Sequence, residues 1–259
     1  MSRISDSEIC TMLGLSLIHI STDQTGIRQS DRGGGVLDGH PDIRAVALDY
    51  YGTLVDVGKP FDRIRAWFAE KLHGSGVDPQ TFFHRFSRER ARLYTAEFRL
   101  GYELLVESYE AACRRFHLPP ASSLFQTYLF TLFSEPPAFA QARKTVEQLR
   151  IRFPVALLTN ADNVILYKSI EKHRFVFDCI ITSEDMRCNK PAPALFHKVS
   201  ERLSLPTSQI VMIGDSLTED IQGASSVGMP AIWISQTGEK PGNVVCQAPS
   251  VREAAAYIL

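Results

Sequence analysis

Cysteine is sparse and dispersed in this chain, and the lack of pattern excludes a disulfide framework. Cys10, Cys113, Cys179, Cys188 and Cys246 form no CxxC pair. An odd, scattered set predicts buried small hydrophobes in a reducing compartment, hence a cytoplasmic protein. Charge of one sign is also lacking. Lysine plus arginine number 28 against 29 acidic residues, a net charge of −1, so no pull toward nucleic acid or a membrane surface is expected. Long hydrophobic runs are missing too. Met12 to Ile20 falls short of the roughly 20 residues a spanning helix needs. Asp6 and Glu8 precede it, where a signal peptide would carry basic residues. At 44% hydrophobic and 22% charged, the 259 residues have the composition of a globular protein of one large or two smaller domains.

Residues 1–41 read poorly as part of a fold. Ser, Asp, Gly and Gln dominate from Ser21 onward, and Gly33-Gly34-Gly35 is a flexible joint. Leu15 to Ser21 resembles the translation of a sequencing-adaptor end. The segment is expected to be a disordered or artefactual leader, with the true start near residue 40.

What is present from residue 42 onward is alternation. Short apolar runs at Ala45–Leu48, Val155–Leu158, Cys179–Thr182, Ile210–Ile213 and Ala231–Ile234 read as strands buried on both faces. Helical lengths separate them at Ala138–Arg152, Asn163–Arg174, Ala192–Leu203 and Leu217–Val227. Strand-helix alternation predicts a doubly wound α/β fold around a parallel sheet, with a site at the carboxyl ends of the strands. One interval, 59–136, contains no convincing strand. Helical pattern covers Phe61–Leu72, Pro79–Phe116 in one or two pieces, and Ser122–Phe133. The expected organisation is a core of 42–58 and 137–259, with an all-helical cap at 59–136. The cap aromatics, Trp67, Phe82, Phe83, Phe86, Tyr94, Phe98, Tyr102 and Tyr109, are mostly expected to be its core, and Asp56 to cap its first helix.

Asp49 is the residue that points to chemistry. It ends the apolar run Ala45–Leu48 and leads into a Gly-containing turn. A carboxylate at the end of a buried strand costs free energy unless it is paired, a cost that suits a nucleophile or a metal ligand. Three further motifs follow. Leu157-Leu158-Thr159-Asn160 ends a strand in a hydroxyl and an amide. Lys190-Pro191-x-Pro193 puts a lysine before a helix start. Ile213-Gly214-Asp215-Ser216-x-x-x-Asp220 ends a strand in carboxylates.

In order and placement, these four motifs, with Asp49-x-Tyr51-Gly52-Thr53-Leu54 first, resemble the haloacid dehalogenase-like hydrolase superfamily over about residues 43–235. The resemblance implies a Rossmann-like core with an inserted cap. It implies Asp49 as nucleophile, with Thr53, Thr159, Asn160 and Lys190 holding an anionic group beside it. It implies a Mg²⁺ held by Asp49, Asp215, the backbone carbonyl of Tyr51, and Asp220 through water. Bland readings stand beside these. Thr53 suits a turn equally well. Ser216 with Glu219 has capping-box spacing. Asp220 also suits a helix surface. Glu184 and Asp185 read as solvated, and Arg85, Arg88, Arg90 and Arg92 as a solvated helix face.

Two motifs conflict over the reaction. Phosphatases of the superfamily carry a second Asp two places after the nucleophile, which protonates the leaving alcohol. Here that place is Tyr51, with a reference pKa near ~10. Asp-x-Tyr-Gly-Thr resembles the 2-haloacid dehalogenase branch, where the departing halide needs no proton. Gly214-Asp215-Ser216 with Asp220 resembles the metal-binding phosphatase form instead. The favoured reading is a Mg²⁺-dependent phosphatase of a small phosphorylated metabolite. The alternatives are a metal-independent 2-haloacid dehalogenase and a non-catalytic binding member of the fold. A small anionic substrate is implied, and either a monomer or a homodimer is compatible.

Overall fold

The computed structural model describes residues 42–94, 97–235 and 246–259. The expected leader, residues 1–41, and Cys10 lie outside them.

Six parallel strands form one sheet in the order β3-β2-β1-β4-β5-β6. They are β1 (Ala45–Leu48), β2 (Val155–Thr159), β3 (Cys179–Thr182), β4 (Ile210–Gly214), β5 (Ala231–Ile234) and β6 (Cys246–Ala248). All five expected strands are present, and β6 is the addition. Its three residues are too short and mixed to announce a strand, and pairing with β5 makes it one. Side chains alternate across the sheet, as the two-residue repeat requires. Val46, Leu48, Leu157 and Ile213 enter one apolar cluster, and Ala45, Ala47, Leu158 and Met212 the other. Helices α5 (Ala142–Arg152), α6 (Asn163–His173) and α10 (Val251–Ala256) cover the first face. Helices α7 (Ser183–Met186), α8 (Pro193–Leu203) and α9 (Gly223–Ser226) cover the second. Both faces are therefore dry, which is why the strands read as unbroken apolar runs.

The strand order reverses beside β1. The chain builds β1, β2 and β3 outward on one side, then returns to place β4 on the other. Leu48 is level with both Leu157 and Ile213. The residues that follow β1, β2 and β4 therefore share one crevice, where open α/β sheets bind ligands.

Helices α1 (Pro60–Lys71), α2 (Pro79–Tyr94), α3 (Gly101–Arg115) and α4 (Ser122–Ser134) fill the interval after β1. The stretch from Pro79 thus divides in two. These helices have a separate apolar core that includes Trp67, Phe68, Phe82, Phe86, Tyr109 and Phe125. The two chain crossings into this region run side by side. Asp56 N–H donates to the Pro137 carbonyl at 2.8 Å, and Phe139 N–H to the Leu54 carbonyl at 3.0 Å. Asp56 does not cap α1. Its carboxylate accepts from Gly58 N–H at 2.7 Å, and α1 starts at Pro60, which needs no N–H partner. Arg90 is no part of a solvated face either: it is buried and lies over the Phe61 ring at 5.0 Å. The segment read as one helix from Leu217 opens as a π-helical turn, Leu217–Gln222, and only then becomes α9.

Candidate active site

The loop after β1 is made tight by its own amides. Leu54 and Val55 N–H both donate to the Tyr50 carbonyl, at 2.8 and 3.1 Å, and Gly52 N–H to the Val55 carbonyl at 2.8 Å. Gly52 takes φ +86°, and a Cβ there would fall 2.3 Å from Asp215 Oδ2. Only glycine satisfies both the backbone and the approach of that carboxylate. Thr53 is buried and its hydroxyl lies 3.5 Å from Asp215 Oδ1, so it belongs to the site as well as to the turn. The Asp215 carbonyl accepts from Trp233 Nε1–H at 2.8 Å, which fixes the start of the loop after β4.

Lys190 is the electrostatic centre. Its ammonium has three donors and finds three acceptors: Asp49 Oδ1 at 2.7 Å, Asp220 Oδ1 at 2.6 Å and the Leu158 carbonyl at 3.1 Å. It is 2% exposed and Asp220 0%. That decides against Asp220 as a helix-surface carboxylate, and Lys190 is no surface lysine. Burial by itself would lower the Lys190 pKa; the Asp220 and Asp49 carboxylates outweigh it and hold the group above its ordinary value. Burial pushes Asp220 up to about 6 against the pull of Lys190. The π-helical turn delivers Asp220 inward. Ser216 N–H donates to Asp220 Oδ2 at 3.0 Å, and Ile221 N–H bonds back to the Ser216 carbonyl at 3.2 Å. Ser216 does cap this turn, accepting from Glu219 N–H. The Glu219 side chain turns inward rather than back to the cap, and accepts from Asn160 Nδ2 at 3.1 Å. Burial raises its pKa well above normal; Lys190 opposes this, and Asp220, Asp49 and Asp215 add to it. Gly214 makes room for this fold-back, since a Cβ there would lie 2.2 Å from Asp220 Oδ2.

Asn160 and Thr159 divide their labour. The Asn160 amide accepts from Lys190 N–H at 2.7 Å, and its Nδ2 donates to the Lys190 carbonyl at 3.3 Å as well as to Glu219. The amide protons are thus committed, one to the Lys190 loop and one to Glu219. The Thr159 hydroxyl is buried and, among the described residues, has no hydrogen-bond partner. A buried polar atom without a partner is costly, so this one is set for a group that arrives later. Asp49, Asp215 and Asp220 each offer a carboxylate oxygen, and these lie within 4.8 Å of one another. Such an all-oxygen set fits a hard divalent cation such as Mg²⁺. Lys190 takes Oδ1 of Asp49 and leaves Oδ2; Asp220 already uses both oxygens, which fits contact through water better than direct ligation.

Tyr51 points away from this cluster. Its hydroxyl donates to the Phe133 carbonyl of α4 at 3.0 Å, and its ring meets Tyr50 and Phe133 edge-on. Burial, with Tyr50, Asp162 and Asp49 nearby, pushes its pKa well above the ordinary phenol value.

Several site residues were not singled out by their sequence positions. Asp162 accepts from Gly101 and Tyr102 N–H at 2.9 and 2.7 Å, so it caps α3 from across the crevice. The only sequence cue is its N-cap place before α6. Tyr94, Tyr102, Leu105, Leu129 and Phe133 line a cavity of about 100 Å³ beside Tyr51. Glu184 and Asp185 are not simply solvated: they accept from Asn163 N–H and Asn163 Nδ2, the latter at 2.7 Å.

Known proteins resemble this chain in family and in fold. A family described as haloacid dehalogenase-like hydrolase matches residues 43–228. The chain is 24% identical over 214 residues to (S)-2-haloacid dehalogenase 4A of Burkholderia cepacia, covering 77% of this chain and 86% of that one. It is also 24% identical over 196 residues to glyceraldehyde 3-phosphate phosphatase of Pyrococcus furiosus, covering 74% and 80%. A dehalogenase crystal structure superposes with a TM-score of 0.65 at 22% identity, over 85% of this chain and 98% of that one.

Proposed function

Starting from a chain that belongs to the haloacid dehalogenase-like hydrolases, we propose a Mg²⁺-dependent phosphatase acting on a small phosphorylated metabolite, with Asp49 as nucleophile. What carries the reading is the convergence of Asp49, Asp215 and Asp220 beside Lys190. Their carboxylate oxygens lie close enough together to share one divalent cation, which would balance their charge.

Asp49, Asp215 and the Tyr51 carbonyl would hold the ion, with Asp220 reaching it through water. When bound, Mg²⁺ would neutralise charge so that a carboxylate can approach a phosphate. The chain's own groups do the rest. The Asp49 carboxylate attacks phosphorus in line with the leaving oxygen. The Thr159 hydroxyl donates to a phosphoryl oxygen, which gives it the partner it lacks among the described residues. Lys190 holds Asp49 in place and balances the charge on the phosphoryl group. Asn160 positions Lys190 through its backbone. The helices of 59–136 act as the cap that shuts water out and selects the substrate. Without a carboxylic acid at position 51, the reaction is slower by about the 10²–10⁴-fold that general acid catalysis supplies. The chain's relatives are enzymes, and the binding-only reading is dropped. The free thiols of Cys113, Cys179 and Cys188 support a reducing, cytoplasmic setting. Among the described residues no helix is long and apolar enough to cross a membrane.

Tyr51 favours a second reading, a metal-independent 2-haloacid dehalogenase in which Asp49 attacks carbon and halide leaves without a proton. Hydrolysis of a phosphomonoester and of L-2-chloropropionate, each with Mg²⁺ and with EDTA, separates the two, with Asp49→Asn as the blank. Mg²⁺-dependent phosphate release establishes the phosphatase; chloride release indifferent to EDTA establishes the dehalogenase.

A further inference from the structure

Resting on the phosphatase reading, we infer that this enzyme is selective for phosphomonoesters of acidic, uncharged, aromatic alcohols: aryl phosphates rather than sugar or glycerol phosphates. Two independent observations meet in this inference, one about protons and one about space.

The proton observation concerns what faces the leaving oxygen. The place that would hold a carboxylic acid holds Tyr51, and its hydroxyl proton is donated to the Phe133 carbonyl at 3.0 Å. Among the described residues, Asp162 is the only carboxylate lining the neighbouring cavity. It spends one oxygen on Gly101 N–H and the other on Tyr102 N–H. Neither group is arranged to give a proton. An alkoxide is too basic to leave unprotonated, whereas a phenolate, whose conjugate acid has a pKa near ~10, leaves as an anion.

The space observation concerns the cavity. Tyr51, Asn160 and Asn189 line it and stand within two residues of Asp49, Thr159 and Lys190 in the chain, which places it beside the site. Its volume is about 100 Å³, somewhat below the ~150 Å³ of an apolar protein cavity known to admit benzene. Leu104, Leu105, Leu129, Ile165 and Phe133 form its walls, with Tyr102 beside them. Among the described residues Arg99 is its only cation. Its Nη1 already donates to both oxygens of Glu107, at 2.7 and 2.6 Å. Glu107 thus neutralises the one cation that, among the described residues, faces the cavity. Rings on rings are the contacts this surface favours.

The two steps balance without an enzymic acid. An Asp49 carboxylate oxygen forms a bond to phosphorus as the bond from phosphorus to the aryl oxygen breaks, and the electron pair leaves with the aryloxide. Water then attacks phosphorus, the bond to Asp49 breaks, and the carboxylate is restored. The proton released from water appears on the aryloxide through solvent, so ester plus water yields phenol plus phosphate.

The test compares kcat/KM of the full chain with Mg²⁺ for phenyl, benzyl and glycerol phosphates. Phenyl and benzyl phosphate carry the same ring and differ chiefly in the basicity of the leaving oxygen. A phenyl-over-benzyl preference of at least about 10²-fold is expected, the low end of what a general acid contributes. Benzyl and glycerol phosphate both leave as alkoxides and differ in polarity, and benzyl is expected to win. A phenyl-to-benzyl ratio near one, or glycerol phosphate preferred over benzyl, overturns the inference while leaving the phosphatase standing. Phosphate release from none of the three, with chloride released from L-2-chloropropionate, brings down the phosphatase reading itself.

Discussion

The two walls of the crevice are built from opposite materials. The floor, at the ends of β1, β2 and β4, is a buried charge network in which one lysine joins Asp49 and Asp220. The roof, from α1 to α4, is a packed set of aromatic rings: Phe125 lies 4.9 Å from Trp67 and 4.7 Å from Tyr109, centroid to centroid. The floor depends on charge balance and hydrogen-bond direction, which tolerate little change. The roof depends on volume, which many sequences can fill. In the proposed function the floor would carry the reaction and the roof the choice of substrate, with Tyr51 and Asp162 joining the two.

Substitutions can break that contrast. The largest effect is expected from Asp49→Asn, which removes the nucleophile and should lower kcat by more than about 10³-fold, measured by phosphate release. Next come two stability losses of similar size and different origin. Lys190→Met leaves the buried Asp220 carboxylate without its cation and should cost about 3–5 kcal/mol in urea unfolding. Phe125→Ala opens a void in the roof and should also cost about 3–5 kcal/mol. Only the first should abolish turnover at a temperature where both variants are folded. Thr159→Val sharpens the contrast further. Among the described residues the hydroxyl has no partner, so stability should change by less than about 0.5 kcal/mol. Activity should fall about 10²-fold, through a lost donor to the phosphoryl oxygen. Equal losses in both would make Thr159 structural. The smallest effect is expected from Gly214→Ala. Its new Cβ would meet Asp220 Oδ2 at 2.2 Å, and the forced shift should cost about 1–3 kcal/mol, seen as a lower urea midpoint.

Legibility in the sequence followed the same division. The strands were readable because a doubly covered sheet needs unbroken apolar runs, and β1, β2 and β4 supply them. The floor residues were readable because each follows such a run or precedes a helix, so position in the chain and position in space coincide. β6 was not readable, since its three residues become a strand only through β5. Nor was the burial of Arg90, which stands in an arginine-rich stretch that looks solvated on every local measure. Asp162 lies 61 residues from Gly101 in sequence, and no local pattern announces a carboxylate capping a distant helix.

The sequence by itself determined the alternating architecture, the strand ends that carry Asp49, Thr159 and Asp215, and the presence of Tyr51 two places after Asp49, where the family resemblance implies an acid. These rest on periodicity and residue type, which are properties of the chain alone. Tertiary structure decided the rest. Lys190 reaches Asp49 across 141 residues. The π-helical turn carries Asp220 inward, and the Tyr51 proton goes to Phe133 on the roof. Those outcomes depend on which surfaces meet when distant segments pack. Burial then turns an ordinary lysine, aspartate or tyrosine into a group that can hold charge or withhold a proton.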